Sequence, residues 1–202
     1  RVHRLRRIMT AVHSAAIVLC AASGRGAWNP HSDHMHFRRL SIDKGLSQSA
    51  VQTIVQDRKG FIWLGTIDGL NPYDGREFTI FYDVDGDSSS LTSSWINVLY
   101  EDSRGTLWVG TEYGLNRYLP ETLSFDVPFP RGKAARALSS ATVTAVTEDS
   151  LQRLWIGTKN SGIFCYDLRG ERLFRPDGDA GLTAHLARSG ISSFEWDMRG
   201  RL

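Results

Sequence analysis

A chain of 202 residues, 41% hydrophobic and 10% aromatic, has the length for one domain or two small ones with a sizeable core, which excludes a disordered segment. Its formal charge of +2 overstates its basicity, because Arg1, Arg4, Arg6, Arg7 and Arg25 fall within the first 27 residues, where there is no Asp or Glu. Without those five of the 24 basic side chains, 19 remain against 22 acidic ones, a mildly acidic body with no electrostatic footprint for nucleic acid.

In chain order, the Arg-rich start leads into the apolar run from Ala11 to Ala22 and then into small residues, the layout of a secretory signal peptide over residues 1–24. The run is too short for a membrane-spanning helix, which needs roughly 20 residues. Ile17-Val18-Leu19-Cys20 approximates a lipoprotein box but has Leu19 where a small residue is required. Loss of the leader leaves Cys165 as the only cysteine, so no intrachain disulfide staples the fold. Residues 25–36 read as a polar connector. Within it His31, Asp33, His34 and His36 offer zinc- or copper-type donors, but no partner ligand stands at a telling spacing, so the expectation is no metal and no cofactor.

From Phe37 onward the chain is expected to be all-β. Phe37-Arg38-Arg39-Leu40-Ser41 reads as an orphan outer strand. After it, one word recurs: FIWLGTIDGLN from Phe61, LWVGTEYGLN from Leu107 and LWIGTKNSGIF from Leu154. The tryptophans Trp63, Trp108 and Trp155 keep a period in the mid-forties, and other landmarks stay in step. Leu46, Leu91, Leu138 and Leu186 hold one position; Asp57, Asp102, Asp149 and Asp197 hold another. Each repeat divides into short strands. In the first, Val51–Gln56 and Phe61–Thr66 flank the turn Asp57-Arg58-Lys59-Gly60, Leu70–Tyr73 makes a third strand with Pro72 costing one ladder donor, and Glu77–Tyr82 makes a fourth. Gln152 stands where the third copy of the turn lacks its glycine.

Four antiparallel strands per repeat of about 45 residues describe one blade of a β-propeller. The expected blades are 46–90, 91–137 and 138–185, with 186–202 starting another, so that 37–202 forms an incomplete ring. Helical solenoid repeats are excluded because no segment keeps a 3.6-residue apolar stripe. Trp63, Trp108 and Trp155 are expected to fill the space between blades, while Gly65, Gly110 and Gly157 allow close approach near the narrow inner part of the ring.

The stretch FRRLSIDKGLSQSAVQTIVQDRKGFIWLGTIDGLNPYDG resembles the opening of the two-component regulator propeller family, with its GLS lead, D-x-x-G turn and W-x-G-T followed by GL-N-x-Y-D. The resemblance spans about Phe37 to Leu202. It implies an extracytoplasmic, periplasmic sensor region, homodimeric and linked through a membrane helix to a kinase, cyclase or DNA-binding output that this chain does not include.

Two further groups carry polar chemistry. Asp83-Val84-Asp85-Gly86-Asp87 resembles the start of a calcium loop, but its glycine is misplaced and Ser94 stands where a bidentate Glu is needed, so an inter-blade connector is expected. The tips between second and third strands differ among repeats while the framework does not. They offer Asp68, Glu112, Tyr113, Lys159 and Asn160, and the preceding loops offer Gln48, Trp95 and Thr142 at what read as equivalent places. Asp68, Trp95, Glu112, Tyr113, Lys159 and Asn160 are therefore the candidate ligand site, suited to a sugar or another small polar molecule. With no nucleophile motif and Cys165 inside a strand, no catalytic residue is assigned and the segment is expected not to be an enzyme. The alternatives are a rigid dimerisation scaffold and a propeller hydrolase or lyase. A start at Arg1 and an end inside a blade give the expectation that further blades lie outside this chain.

Overall fold

The computed structural model describes residues 18–19, 38–176 and 190–195, and the His31–His36 cluster and the turn at Asp197 lie outside them. Strands β1 (Val18–Leu19) and β2 (Arg38–Arg39) pair antiparallel. The expected orphan strand is thus present but reduced to two residues, and its partner comes from the apolar run assigned to the leader. A 3-10 turn over Ile42–Lys44 ends at Gly45, whose φ of 98° only glycine adopts readily, and delivers Leu46 into the core.

The next strands are β3 (Val51–Gln56), β4 (Ile62–Thr66) and β5 (Gly69–Tyr73), joined as one antiparallel sheet. A four-stranded sheet follows from β6 (Ile96–Glu101), β7 (Leu107–Thr111), β8 (Gly114–Leu119) and β9 (Ser124–Asp126). After helix α1 (Lys133–Ser139), another is built from β10 (Val143–Glu148), β11 (Arg153–Thr158), β12 (Ile163–Asp167) and β13 (Arg172–Phe174). Within each sheet the strands lie in chain order, and the first strands follow one another, β3 beside β6 and β6 beside β10. That is the arrangement of propeller blades, with an open rather than closed set of sheets.

Two expectations need correction. The fourth strand of the first blade is not continuous: residues 77–82 form no extended ladder with β5 and bridge to it at Tyr73↔Phe78 and Leu70↔Phe81 as isolated pairs. Leu70 and Phe81 exchange both backbone hydrogen bonds, and the Thr79 amide donates to the Pro72 carbonyl. The reciprocal bond from Pro72 cannot form because proline has no N–H, so the ladder breaks at that pair. On its other side Pro72 faces Trp63 across β4, where β5 keeps its full register.

The second correction is α1, a short helix in a stretch where the expectation was all-β. Its sequence KAARALS is rich in strong helix formers, and Leu138, one of the recurring leucines, lies on it with no exposed surface. Leu46 and Leu91 reach equivalent burial from extended loops, so the repeat conserves the buried contact and not the local backbone.

The core lies between blades. Trp63, Leu70, Ile96, Leu99 and Val109 join the first to the second, and Trp108, Leu115, Val143, Leu154 and Phe164 join the second to the third. Trp63 meets Tyr118 edge-on at 4.9 Å between ring centroids, and Trp108 meets Tyr166 edge-on at 5.9 Å. Each indole also donates to the aspartate six residues before it: Trp63 to Asp57 and Trp108 to Asp102 at 2.9 Å, and Trp155 to Asp149 at 3.0 Å. The second carboxylate oxygen of each aspartate accepts two backbone amides of its own turn. One residue type therefore closes the turn and orients the tryptophan.

For Asp149, burial alone would raise the carboxyl pKa, but the bonds from Trp155 and Arg153 outweigh it and hold the group below its ordinary 3.8. A depressed folded value contributes stability that is complete above the unfolded value and disappears as pH falls through the folded one. Acid titration of thermal stability is expected to show Asp149→Asn well below the native protein at pH 6 and the gap closing below about pH 4. A gap independent of pH would show that the charge plays no part.

The inner glycines are bounded by side chains, not by neighbouring backbone as expected. A Cβ on Gly65 would sit 2.5 Å from Ile96 Cγ2, one on Gly110 2.5 Å from Val98 Cγ1 and 2.8 Å from Val143 Cγ1, and one on Gly157 2.6 Å from Ile191 Cγ2. Ile96, Val143 and Ile191 are the hydrophobic landmarks that open each following blade. Glycine in one blade is thus the socket for a branched side chain of the next.

Candidate functional site

The loop before each first strand and the tip after each second strand share one rim. The amide of Glu112 donates to the Trp95 carbonyl, that of Lys159 to the Thr142 carbonyl, and those of Gly69 and Gly114 to Ser94 and Ala141 in the following loop. Beneath them lies a buried polar lattice. Thr66, Thr111 and Thr158 have no exposed surface, and each bonds the glycine carbonyl and an amide of its own tip. Asn71 and Asn116 clamp the preceding loops through Ser47 and Thr92. Tip side chains therefore vary on a fixed frame.

These pairings revise one equivalence. The residue of the first blade matching Trp95 and Thr142 is Ala50, directly before Val51; Gln48 matches Ser93, since both accept from the amide two residues on. The first blade thus presents no large side chain at the position where the second presents tryptophan.

A cleft of about 420 Å³ opens on this rim, lined by Trp95, Asn97 and Glu112 of the second blade, Thr142, Thr144 and Lys159 of the third, and residues 190–192. Of the six expected site residues it brings together Trp95, Glu112 and Lys159. Asp68, Tyr113 and Asn160 occupy the outer half of their turns, are exposed, and do not line it. The Glu112 and Lys159 side chains have no hydrogen-bond or ion-pair partner among the described residues. Trp95 leaves 46% of its surface exposed, an available aromatic face.

Sequence reasoning missed Asn97 and Thr144. In all three blades the pairing of first and second strands slips by one residue, between Val51 and Thr53, Ile96 and Val98, and Val143 and Ala145. The extra residues are Gln52, Asn97 and Thr144, and a bulge re-aims the side chain it carries. The signal was in the sequence as a polar residue directly after each opening hydrophobe, repeated at Ser192.

A larger cleft, about 780 Å³, lies between the first two blades near the Asp57 turn. Most of its charged groups are already bonded, Asp57 to Trp63, Arg58 to Glu101 and the Asp102 carbonyl, and Arg117 to Asp126, while the Lys59 and Glu77 side chains have no partner among the described residues. The connector carboxylates Asp83 and Asp87 are likewise engaged, by Ser94 and Ser89. Among the described residues no group of His, Cys, Asp and Glu has metal-binding geometry. Cys165 is fully buried on β12, and burial pushes its thiol up to about 11 despite nearby Arg153, so this thiol stays protonated at neutral pH. No helix among the described residues has the length and apolarity to cross a membrane.

Comparison with known proteins bears on this geometry. The two component regulator propeller model matches residues 45–68, 90–113 and 137–160, one match per blade. A protein described as the extracellular domain of a hybrid two component system from B. thetaiotaomicron is 32% identical, with a TM-score of 0.61 over 69% of this chain and 20% of its own. A second such domain from that organism, 24% identical with a TM-score of 0.60, covers 86% of this chain and 20% of its own and shows the fold. "Histidine kinase P4" of Formosa agariphila is 45% identical over 56 residues, 28% of this chain and 4% of that protein. The chain therefore spans a small part of the proteins it resembles, and the shared part is a propeller domain, not a catalytic one. Each of the three blades carries its own match, in phase with the others, and they are blades of the two-component regulator propeller family.

Proposed function

We propose that this segment reads a small polar ligand, with a sugar as the best fit, for an extracytoplasmic receptor whose output domain lies outside the chain. The observation that carries the reading is the rim cleft, where an aromatic face and two oppositely charged side chains, without partners among the described residues, come from adjacent blades, the charged pair at equivalent positions. Their backbone is fixed by the buried Thr and Asn lattice, so recognition starts from a pre-organised site. Stacking on Trp95 and hydrogen bonds to Glu112 and Lys159 suit a hydroxyl-rich ring, and the cleft volume falls within the roughly 300–1,000 Å³ of small-molecule sites. An extracytoplasmic location accords with the extracellular description of the 32%-identical relative, and export to the periplasm, membrane anchoring and a homodimeric receptor belong to the same proposal.

The test is a thermal-shift screen of the native-length extracytoplasmic region against monosaccharides, disaccharides and sugar acids. At least one is expected to raise Tm, and Trp95→Ala/Glu112→Ala/Lys159→Ala is expected to abolish that shift while leaving the ligand-free Tm within about 2 °C, as surface substitutions do. A shift that survives in the triple variant puts the site elsewhere, and no shift with any compound favours a rigid scaffold.

A further inference from the structure

The three bulge residues occupy equivalent places but differ in what their polar atoms meet. Gln52 is exposed to solvent. Thr144 is satisfied, its single hydroxyl hydrogen lying between the Ile191 and Gly157 carbonyls. Asn97 alone has a side-chain nitrogen, Nδ2, that is buried without a hydrogen-bond partner among the described residues, and it lines the rim cleft. A buried donor without an acceptor is costly, so its retention at a cleft points to a role that needs it. The neighbouring unpartnered donor is the Lys159 ammonium, on the next blade, while Glu112 supplies the acceptor.

Two donors without partners among the described residues, Asn97 Nδ2 and the Lys159 ammonium, thus line the cleft together with the Glu112 carboxylate, and the ammonium carries a full charge. A neutral sugar would meet Lys159 and Asn97 with hydroxyls alone, which gives the ammonium a weaker partner than an anion placed on its side of the cleft, away from Glu112. An amine would face Lys159 in repulsion and leave Asn97 unmet. A carboxylate has two oxygens and a negative charge, enough for both donors through charge-assisted bonds. A ring hydroxyl can then donate to Glu112 while the ring face lies on Trp95.

Resting on the sugar-binding reading above, we infer that the ligand is a sugar acid and that Asn97, with Lys159, selects it by binding its carboxylate. Asn97 is then a specificity-determining residue, and its orphan nitrogen is the polar atom the ligand completes.

The experiment is isothermal titration calorimetry on the native-length extracytoplasmic region, with D-glucuronate and D-glucose as probes. Glucuronate is expected to bind at least tenfold more tightly than glucose. Asn97→Asp, which sets a carboxylate against that of the probe, is expected to erase this preference, as is Lys159→Ala. Gln52→Ala, at the equivalent place outside the cleft, should leave it intact. Asn97→Leu separates a reading role from a structural one: with the orphan donor gone, Tm should hold or rise while glucuronate binding falls at least tenfold. Equal binding of the two probes would overturn the sugar-acid inference and leave the sugar site standing. No binding of glucuronate, unchanged preference in Asn97→Asp, or a clear drop in Tm for Asn97→Leu would also overturn it. The thermal-shift screen judges the broader reading independently.

Discussion

Trp108→Ala is expected to destabilise the protein by about 3–5 kcal/mol, the largest effect of any single substitution considered. The indole is 1% exposed, stacks with Phe129 at 6.4 Å, meets Tyr166 edge-on and donates to Asp102, so its removal opens a cavity between two blades and strips three neighbours of their contacts. Asp102→Ala should cost about 3 kcal/mol by a different route. It leaves the Arg104 and Thr106 amides and the indole N–H without their acceptor, at a site where the aspartate is itself 1% exposed. Because the two share one hydrogen bond, the double variant should lose less than the two single losses combined, by roughly 1 kcal/mol or more. Urea denaturation of all four proteins measures this. Strict additivity would show that aspartate and tryptophan act independently, and a loss below about 1 kcal/mol for Trp108→Ala would show that the blades do not depend on the indole. Trp155→Ala, at a half-buried position, should cost less than Trp108→Ala.

Gly110→Ala is expected to cost about 1–3 kcal/mol, though it adds one methyl group. No backbone strain is involved, since Gly110 is not in the left-handed region. The obstacle is space, with Val98 on the same blade at 2.5 Å and Val143 on the next at 2.8 Å. Both are β-branched and stiff at χ1, so neither turns away easily. Gly60→Ala makes a useful contrast. Nothing lies within 4 Å of its Cβ position, but its φ of +97° disfavours any side chain, and the expected cost is about 1 kcal/mol. Combining Gly110→Ala with Val98→Ala should recover part of the loss at Gly110, whereas Val98→Ala should do nothing for Gly60→Ala. A neutral Gly110→Ala would mean that the blades separate without penalty, and the socket account would fall.

The third copy of the turn shows how far local rules bend. Gln152 takes φ 61° where the other copies use Gly60 and Gly105. Its amide oxygen accepts from Arg169 and its nitrogen donates to Ser103 on the preceding blade, contacts that a glycine cannot make. The departure was visible in the sequence; its compensation was not, because both partners are distant along the chain or across a blade boundary.

By itself the sequence determined the repeat, its period and its strand-and-turn grammar, since these rest on local chemistry: β-branched runs, Asp and Gly at turn positions, and a tryptophan at constant spacing. It also determined that Pro72 would remove a ladder bond, because the missing N–H is a property of one residue. Only the tertiary structure decided what the spacing was for. Asp102 and Trp108 meet because two strands fold back on one turn, Gly110 is a socket because Val143 arrives from another blade, and Asn97 turns into the cleft because the pairing register slips there. The same holds for the candidate site. Composition singled out variable tips, but the division between Trp95, Glu112 and Lys159, which converge, and Asp68, Tyr113 and Asn160, which do not, depends on which half of each turn faces the neighbouring blade. That is set by hydrogen bonds between segments some seventeen or more residues apart, such as Glu112 to Trp95 and Lys159 to Thr142, and no local pattern encodes them.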